Sequence, residues 1–440
     1  MVTKNRYERY NILFAVFIFA IILILVYNLI LLNKDRFSSE STTKLYFADN
    51  MSAAHLKIIQ EFNKLYSGKI EIVPIDLPFT KFTTNERKEL IARSLRSKDS
   101  HIDIFAVDLI WVPRFAKWAE PLSLYFSQKG LSKILSYALS TCYYENKLVG
   151  IPLYLDIGVM YYRRDIICKY PNSLELEKKL KNSISWKEFI QLGFKQKTNR
   201  PFYVFQGDSY EGLICNYLEV FGGNGGRLLT NNNLQINSIK AQESCQLMVD
   251  LIWKYDFSPK LVTSFNENET YYYALGNDVP FFRGWASALK NIYVSSVDSN
   301  KVQYLEATTL PHFKGHQPSS VFGGWNLMIS KNSTKKKEAL EFLKYILSEE
   351  AQKTLFETSG LLPILTKIYY DEILIENYPY FPYLLSLIEQ GIHRPPLVDY
   401  TKISDILSYH INKALKKELS VEDALQQAVE MIESKKVFVR

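Results

Sequence analysis

Much of what would mark an enzyme is missing from this 440-residue chain. It has no Gly-x-Ser-x-Gly turn to expose a nucleophile, no His-Glu-x-x-His helix to hold zinc, and no zinc-deaminase pattern. The run Gly222-Gly223-Asn224-Gly225-Gly226 lacks the Gly-Lys-Ser/Thr ending of a phosphate loop. It reads as a turn after a helix, with the lining of a cleft as its other role. The six histidines are scattered. His312 and His316 stand four apart, but Pro311 and Gly315 place them in a loop with no third ligand near, so neither a metal nor a cofactor is expected. Cysteine is scarce: Cys142, Cys168, Cys215 and Cys245 are widely spaced and none makes a C-x-x-C. An oxidising compartment would allow three full pairings; free buried thiols are the other reading. An excess of one charge is lacking too. The 53 Lys+Arg stand against 46 Asp+Glu, a net +7 over a large surface, which gives no reason to expect nucleic acid. Lys335-Lys336-Lys337 reads as a solvated helix face. Repeats and low-complexity tracts are absent.

What is present begins with Ile12–Leu32, an apolar, uncharged run that reaches roughly 30 Å as a helix, enough to cross a hydrocarbon core. It is longer than a signal-peptide core and has no small-x-small exit, so the expectation is one uncleaved transmembrane anchor. Lys4, Arg6 and Arg9 precede it and Lys34, Asp35 and Arg36 follow, which favours a cytoplasmic N-terminus. The expected order is a cytoplasmic tail at 1–11, the anchor at 12–32 and a linker at 33–42. The expected location is a single-pass protein of the plasma membrane with its soluble body outside. That body, about 400 residues, exceeds the size at which one core keeps growing, so two domains are expected.

Within the body the rhythm is strand, helix, strand, helix, strand. Lys44–Ala48, Ile70–Ile75 and Ile102–Val107 read as strands. Ser52 caps a helix to about Tyr66, and a second helix covers roughly Asn85–Leu95. This is the pattern of a parallel sheet with helices on both faces. Further on, Ser185 caps a helix with Trp186 and Phe189, Leu213–Phe221 is an apolar helix, and Trp285 starts another. Lys335–Phe356 keeps a 3.6-residue period throughout and reads as one helix. Ser420 caps the last. Tyrosine is abundant, at 30 residues with 26 Phe. Runs such as Tyr161-Tyr162 and Tyr271-Tyr272-Tyr273 suit a core, and equally a cleft for a partly apolar, hydroxyl-rich ligand.

Several passages resemble the extracellular solute-binding proteins that serve sugar import through ABC transporters, the maltose-binding-protein group in its wider sense. They are Asp103-Ile104-Phe105-Ala106-Val107-Asp108 with Trp111, Phe115 and Leu122; Gly150-Ile151-Pro152 with Asp156 through Tyr162 and Arg164-Asp165; Leu310-Pro311 with Ser320 through Leu327; and Arg394-Pro395 with Tyr400. Their order over nearly the whole body carries the likeness. It implies an α/β, two-lobed periplasmic-binding-protein-like fold with a hinge, here preceded by one N-terminal transmembrane helix. Lobe 1 would take 43–155 and 312–360. Lobe 2 would take 156–311 and 361–440, the latter including the C-terminal helices. The implied function is non-enzymatic: membrane-anchored capture of a sugar or oligosaccharide for an ABC-type importer. The implied partners are the carbohydrate, the permease subunits and the plasma membrane. A tethered sensor or scaffold without a permease, or a glycan-processing enzyme with two carboxylates across the bond, would be the alternatives.

The same resemblance places Trp325, Tyr161, Asp108, Trp111, Trp285, Asp156 and Glu211 at the ligand cleft. A sugar ring offers a C–H face rimmed by hydroxyls, so aromatic faces cover it while carboxylates hold the rim. Trp325 follows two glycines that let backbone approach closely. Each residue also has an ordinary role open to it: core packing for the aromatics, helix capping for Asp108, a surface or hinge position for Asp156 and Glu211.

Overall fold

The computed structural model describes residues 14, 16–28, 42–78, 81–82, 84–97, 101–196, 199–231, 233–288 and 299–434. The membrane anchor expected over Ile12–Leu32 requires correction, and with it the single-pass location and the membrane as partner. Among the described residues no helix is long and apolar enough to cross a membrane. Of that span, residues 14 and 16–28 are described, and they are helical. The rest of that span lies outside the described residues, as do the expected tail, 1–11, and all of the linker but its last residue.

Among the described residues the core of the fold is a nine-stranded sheet. Its strands are β1 (Thr43–Asp49), β2 (Ile70–Asp76), β3 (Ile104–Asp108), β4 (Ile151–Arg163), β5 (Tyr203–Val204), β6 (Phe281–Trp285), β7 (Leu305–Thr308), β8 (Ser320–Ile329) and β9 (Gly391–Ile392). The order is β2-β1-β3-β8-β4-β6-β5, with β7 also on β4 and β9 also on β8. β1 runs parallel to both β2 and β3, as alternation with helices requires. Helices α1 (Ala53–Leu65) and α2 (Thr84–Arg96) make the crossovers. Ser52 caps α1 by accepting from the His55 amide, and Ala54, Ile58, Ile59 and Phe62 bury one stripe of it.

Two strands belong to both halves of the molecule. β4 pairs with β8 through its first half, Ile151–Ile157, and with β6 and β7 through its second. β8 pairs with β9 at Ser320–Val321 and with β3 from Trp325 onward. One lobe is therefore built around β1, β2 and β3. The other is built around β5, β6, β7 and β9, with α3 (Glu211–Gly223), α4 (Ile239–Trp253), α7 (Tyr400–Leu415) and α8 (Val421–Glu433) packed together on it.

Local chemistry revises two elements. The run Lys335–Phe356 is two helices, α5 (Lys336–Ile346) and α6 (Glu349–Ser359). Ser348 adopts an extended backbone and its hydroxyl accepts from the Ala351 amide, which starts α6 afresh. Trp285 ends strand β6 instead of opening a helix, in register with Gly158. All four cysteines are free; Cys142, Cys215 and Cys245 are buried and Cys168 is exposed.

Candidate functional site

The strands β1, β2 and β3 each finish on an aspartate: Asp49, Asp76 and Asp108. Carboxyl ends of parallel strands form the edge at which α/β sheets bind ligands. Strand β4 leaves this lobe and β8 enters it at the same edge, where Trp325 lies opposite both Asp108 and Tyr154. On the second lobe the facing edge holds the end of β6 at Trp285 and the start of α3 at Glu211. The two edges meet at Gly323 and Trp285 and at Asp108 and Arg394.

The acidic edge of the first lobe is held by buried side chains. Arg87, on α2, places Nη2 2.9 Å from Asp49 Oδ1, and His55 Nε2 lies 3.2 Å from Asp49 Oδ2. The Arg87 guanidinium also covers the Trp325 ring at 4.5 Å from its centroid. Burial pulls Arg87 below the usual guanidinium value, with Asp49 opposing. Trp111 meets Trp325 edge to face at 5.4 Å, and stacks on Phe115. Asp108 does two jobs: Oδ1 accepts from the Ile110 amide at 3.0 Å, capping the next turn, and from Arg394 Nη2 at 2.8 Å. Burial raises the Asp108 carboxyl above the usual carboxylate range, and Arg394 opposes that rise.

Glu211 stands in the first turn of α3, where a carboxylate suits the helix dipole. It accepts from Arg394 Nη1 at 2.8 Å, from the Tyr400 hydroxyl at 2.7 Å and from Ser404 Oγ. Trp285 is partly exposed. Its Nε1 donates to Glu267 Oε1 at 3.3 Å, and the Tyr210 hydroxyl donates to the same carboxylate at 2.8 Å. One face of Trp285 covers the Arg283 guanidinium at 4.1 Å, and Arg283 makes a buried two-pronged pair with Glu219 at 2.8 and 3.0 Å. The two glycines before Trp325 have separate reasons. A Cβ on Gly323 would lie 2.8 Å from the Trp285 ring, so Gly323 makes room for a tryptophan of the other lobe. Gly324 has φ +129° against the Tyr154 carbonyl, where the β4–β8 register shifts.

Tyr161 and Asp156 stand behind the Trp285 segment. Tyr161 is fully buried on Phe282, and its hydroxyl donates to the Trp285 carbonyl at 2.7 Å. Asp156 accepts from the Ile157 amide at 2.8 Å, the Ser287 amide at 3.1 Å and Ser287 Oγ. It fastens the segment after Trp285. Burial pushes its carboxyl up to about 6, against the pull of the Ser287 bonds. The structure thus joins Asp108, Trp111 and Trp325 on one wall and links Asp108 to Glu211 through Arg394. Tyr161 and Asp156 support Trp285. Sequence reading assigned no role to Asp49, Arg87, His55, Tyr154, Tyr210, Glu267 or Arg394. An aspartate closing each of three successive strands was the visible signal for the first of these. Among the described residues no cluster of three His, Cys, Asp or Glu side chains is placed to hold a metal.

Two α/β lobes joined by shared strands, with aromatics and ion-paired acids at the junction, define a protein built to enclose a small solute. The chain belongs to the bacterial extracellular solute-binding proteins, a family of non-catalytic binders whose model matches residues 46–353. A "Probable ABC transporter-binding protein" of Deinococcus radiodurans is 26% identical over 352 residues, 78% of this chain and 82% of that protein. Among solved structures, maltose-bound MalE3 of T. maritima is 25% identical, with a TM-score of 0.79 over 89% of this chain and 100% of that one. A solute-binding protein of Thermotoga lettingae with bound α-D-tagatose shares the fold at 21% identity and a TM-score of 0.77, over 90% and 99% of the two chains.

Proposed function

We propose that this chain captures a sugar or short oligosaccharide outside the cytoplasm and delivers it to an ABC-type permease. The observation that carries the reading is the junction itself. Two strands, Ile151–Arg163 and Ser320–Ile329, run through both lobes, and carboxylates, guanidinia and tryptophans converge where they cross. Carboxylates and guanidinia suit hydroxyls, and indole rings suit the C–H faces between them. The maltose named for the T. maritima relative supports a carbohydrate; the Deinococcus relative's printed name supports a transporter partner. Trp285 is the proposed stacking residue, with Trp325 and Trp111 forming the wall behind it. Asp108 and Glu211 are the proposed polar rim, and Asp156 and Tyr161 hold the Trp285 segment in place. Closure of the lobes would be a shift toward the state in which both edges touch the ligand.

A thermal-shift screen of the protein against mono-, di- and oligosaccharides, polyols and amino acids tests this. One carbohydrate class should raise the melting temperature saturably, by about 2.7 kcal/mol of added stability at a hundredfold excess over Kd. The same sugar should be recovered intact after prolonged incubation. A shift by amino acids alone, or no shift in protein freed of bound ligand, would refute the carbohydrate reading.

A further inference from the structure

Polar contacts among the described residues cross from the first lobe to the second. Asn85 Nδ2 donates to Asp405 Oδ1 at 2.8 Å, Arg114 Nη1 to Thr401 Oγ1 at 3.2 Å, and Arg394 Nη2 to Asp108 Oδ1 at 2.8 Å. Of these three, the last joins two full charges and is the most deeply buried. The Arg394 side chain is 1% exposed and that of Asp108 is 14% exposed.

Arg394 is fixed on the second lobe before it reaches the first. It follows β9, which pairs with the start of β8, and precedes α7, which packs on α3 and α4. Its Nη1 is held by Glu211 at 2.8 Å, and Glu211 is held in turn by Tyr400 and Ser404 of α7. Nη2 also points at the Phe322 carbonyl at 3.4 Å. One prong of the fork is therefore engaged within its own lobe while the other is aimed across the gap. Asp108 is the reciprocal case. Its amide bond to Ile110 is local to its lobe, so its carboxylate loses water on closure and needs a cation from the facing edge.

We propose that Arg394 is a closing latch: preoriented by Glu211, it captures Asp108 as the lobes meet and biases the ligand-free protein toward the closed form. The inference rests on reading the two lobes as halves that open and close about β4 and β8, but it concerns the protein without sugar. Without the guanidinium, Asp108 and Glu211 would confront one another as two carboxylates across the closed gap, and repulsion would favour opening. The latch thus sets the fraction of molecules already closed, and with it the apparent affinity for any ligand that binds one state better.

The test is small-angle X-ray scattering on the full chain freed of ligand, comparing native protein with Arg394→Gln, Asp108→Asn and their combination. The native protein should have the compact dimensions of this structure. Both single variants should be more expanded, and the double variant no more expanded than Arg394→Gln alone, because the two changes break one contact. Asn85→Ala should move the dimensions less. Native protein already open without ligand, or folded Arg394→Gln as compact as native, would overturn the proposal. Should Arg394→Gln fail to fold, Asp108→Asn decides alone, since it leaves the Arg394–Glu211 pair intact within its lobe. A purely structural role would lower melting temperature in Arg394→Gln and Glu211→Gln alike without changing lobe separation. Opening in the variants with no sugar bound by any form would uphold the latch and sink the sugar reading. Tight sugar binding with unchanged dimensions would do the reverse.

Discussion

Single side chains here carry more than one duty, and Asp156 shows the cost. Its carboxyl is buried, accepts from three donors and titrates at about 6. An unfolded aspartate releases its proton near 4. Because the folded group holds its proton longer, its contribution is full below about pH 4 and is lost as pH rises through about 6. Asp156→Asn removes that loss. Denaturant unfolding from pH 4 to 6.5 should show native stability falling relative to the variant, by up to about 3 kcal/mol. Parallel profiles would contradict the assignment. Of the proposed cleft residues, the aromatics were legible as types in the sequence, but their exposure was not. Trp111 and Tyr161 are almost wholly buried, because a residue's face depends on partners such as Trp325 and Phe282 that come from distant strands. Arg394 was visible within a matched passage, yet its role was not, since both its acids lie well over a hundred residues away.

Elements were easier to read where their signals are local. The capping serines at 52, 185 and 420 all start helices as their hydrogen bonds require. The alternation of strand and helix gave the parallel β1–β2–β3 sheet. Periodicity misled at Lys335–Phe356, where one apolar stripe continues across two helices and Ser348 breaks the backbone between them. It misled again at Trp285, which looked like a helix start and is a strand end. The crossing strand β8 depends on a backbone feature of its own: Gly324, with φ +129°, beside the register shift at Trp325 and Asn326. A Cβ there would also sit 2.5 Å from the Tyr154 carbonyl. Gly324→Ala should therefore destabilise the fold by about 1–3 kcal/mol in urea unfolding. A loss below about 0.5 kcal/mol would show that the bulge relaxes freely.

At the scale of the whole molecule, two lobes share one sheet. The chain passes from the first to the second through β4 and returns through β8. Such crossings concentrate charge and aromatic surface at one place without requiring either lobe to provide a complete site. The order of matched passages along the chain made this plan legible, while the apolar N-terminal run pointed to a membrane anchor that no described helix provides. A carbohydrate enclosed between the two edges would lie against the partly exposed Trp285 side chain. Calorimetric titration of the sugar found by the screen, into native protein and Trp285→Ala, tests it most directly. Native protein should bind one sugar per chain, and the variant should lose affinity by about tenfold, the worth of one stacked ring. A folded variant that binds within twofold of native would contradict the claim.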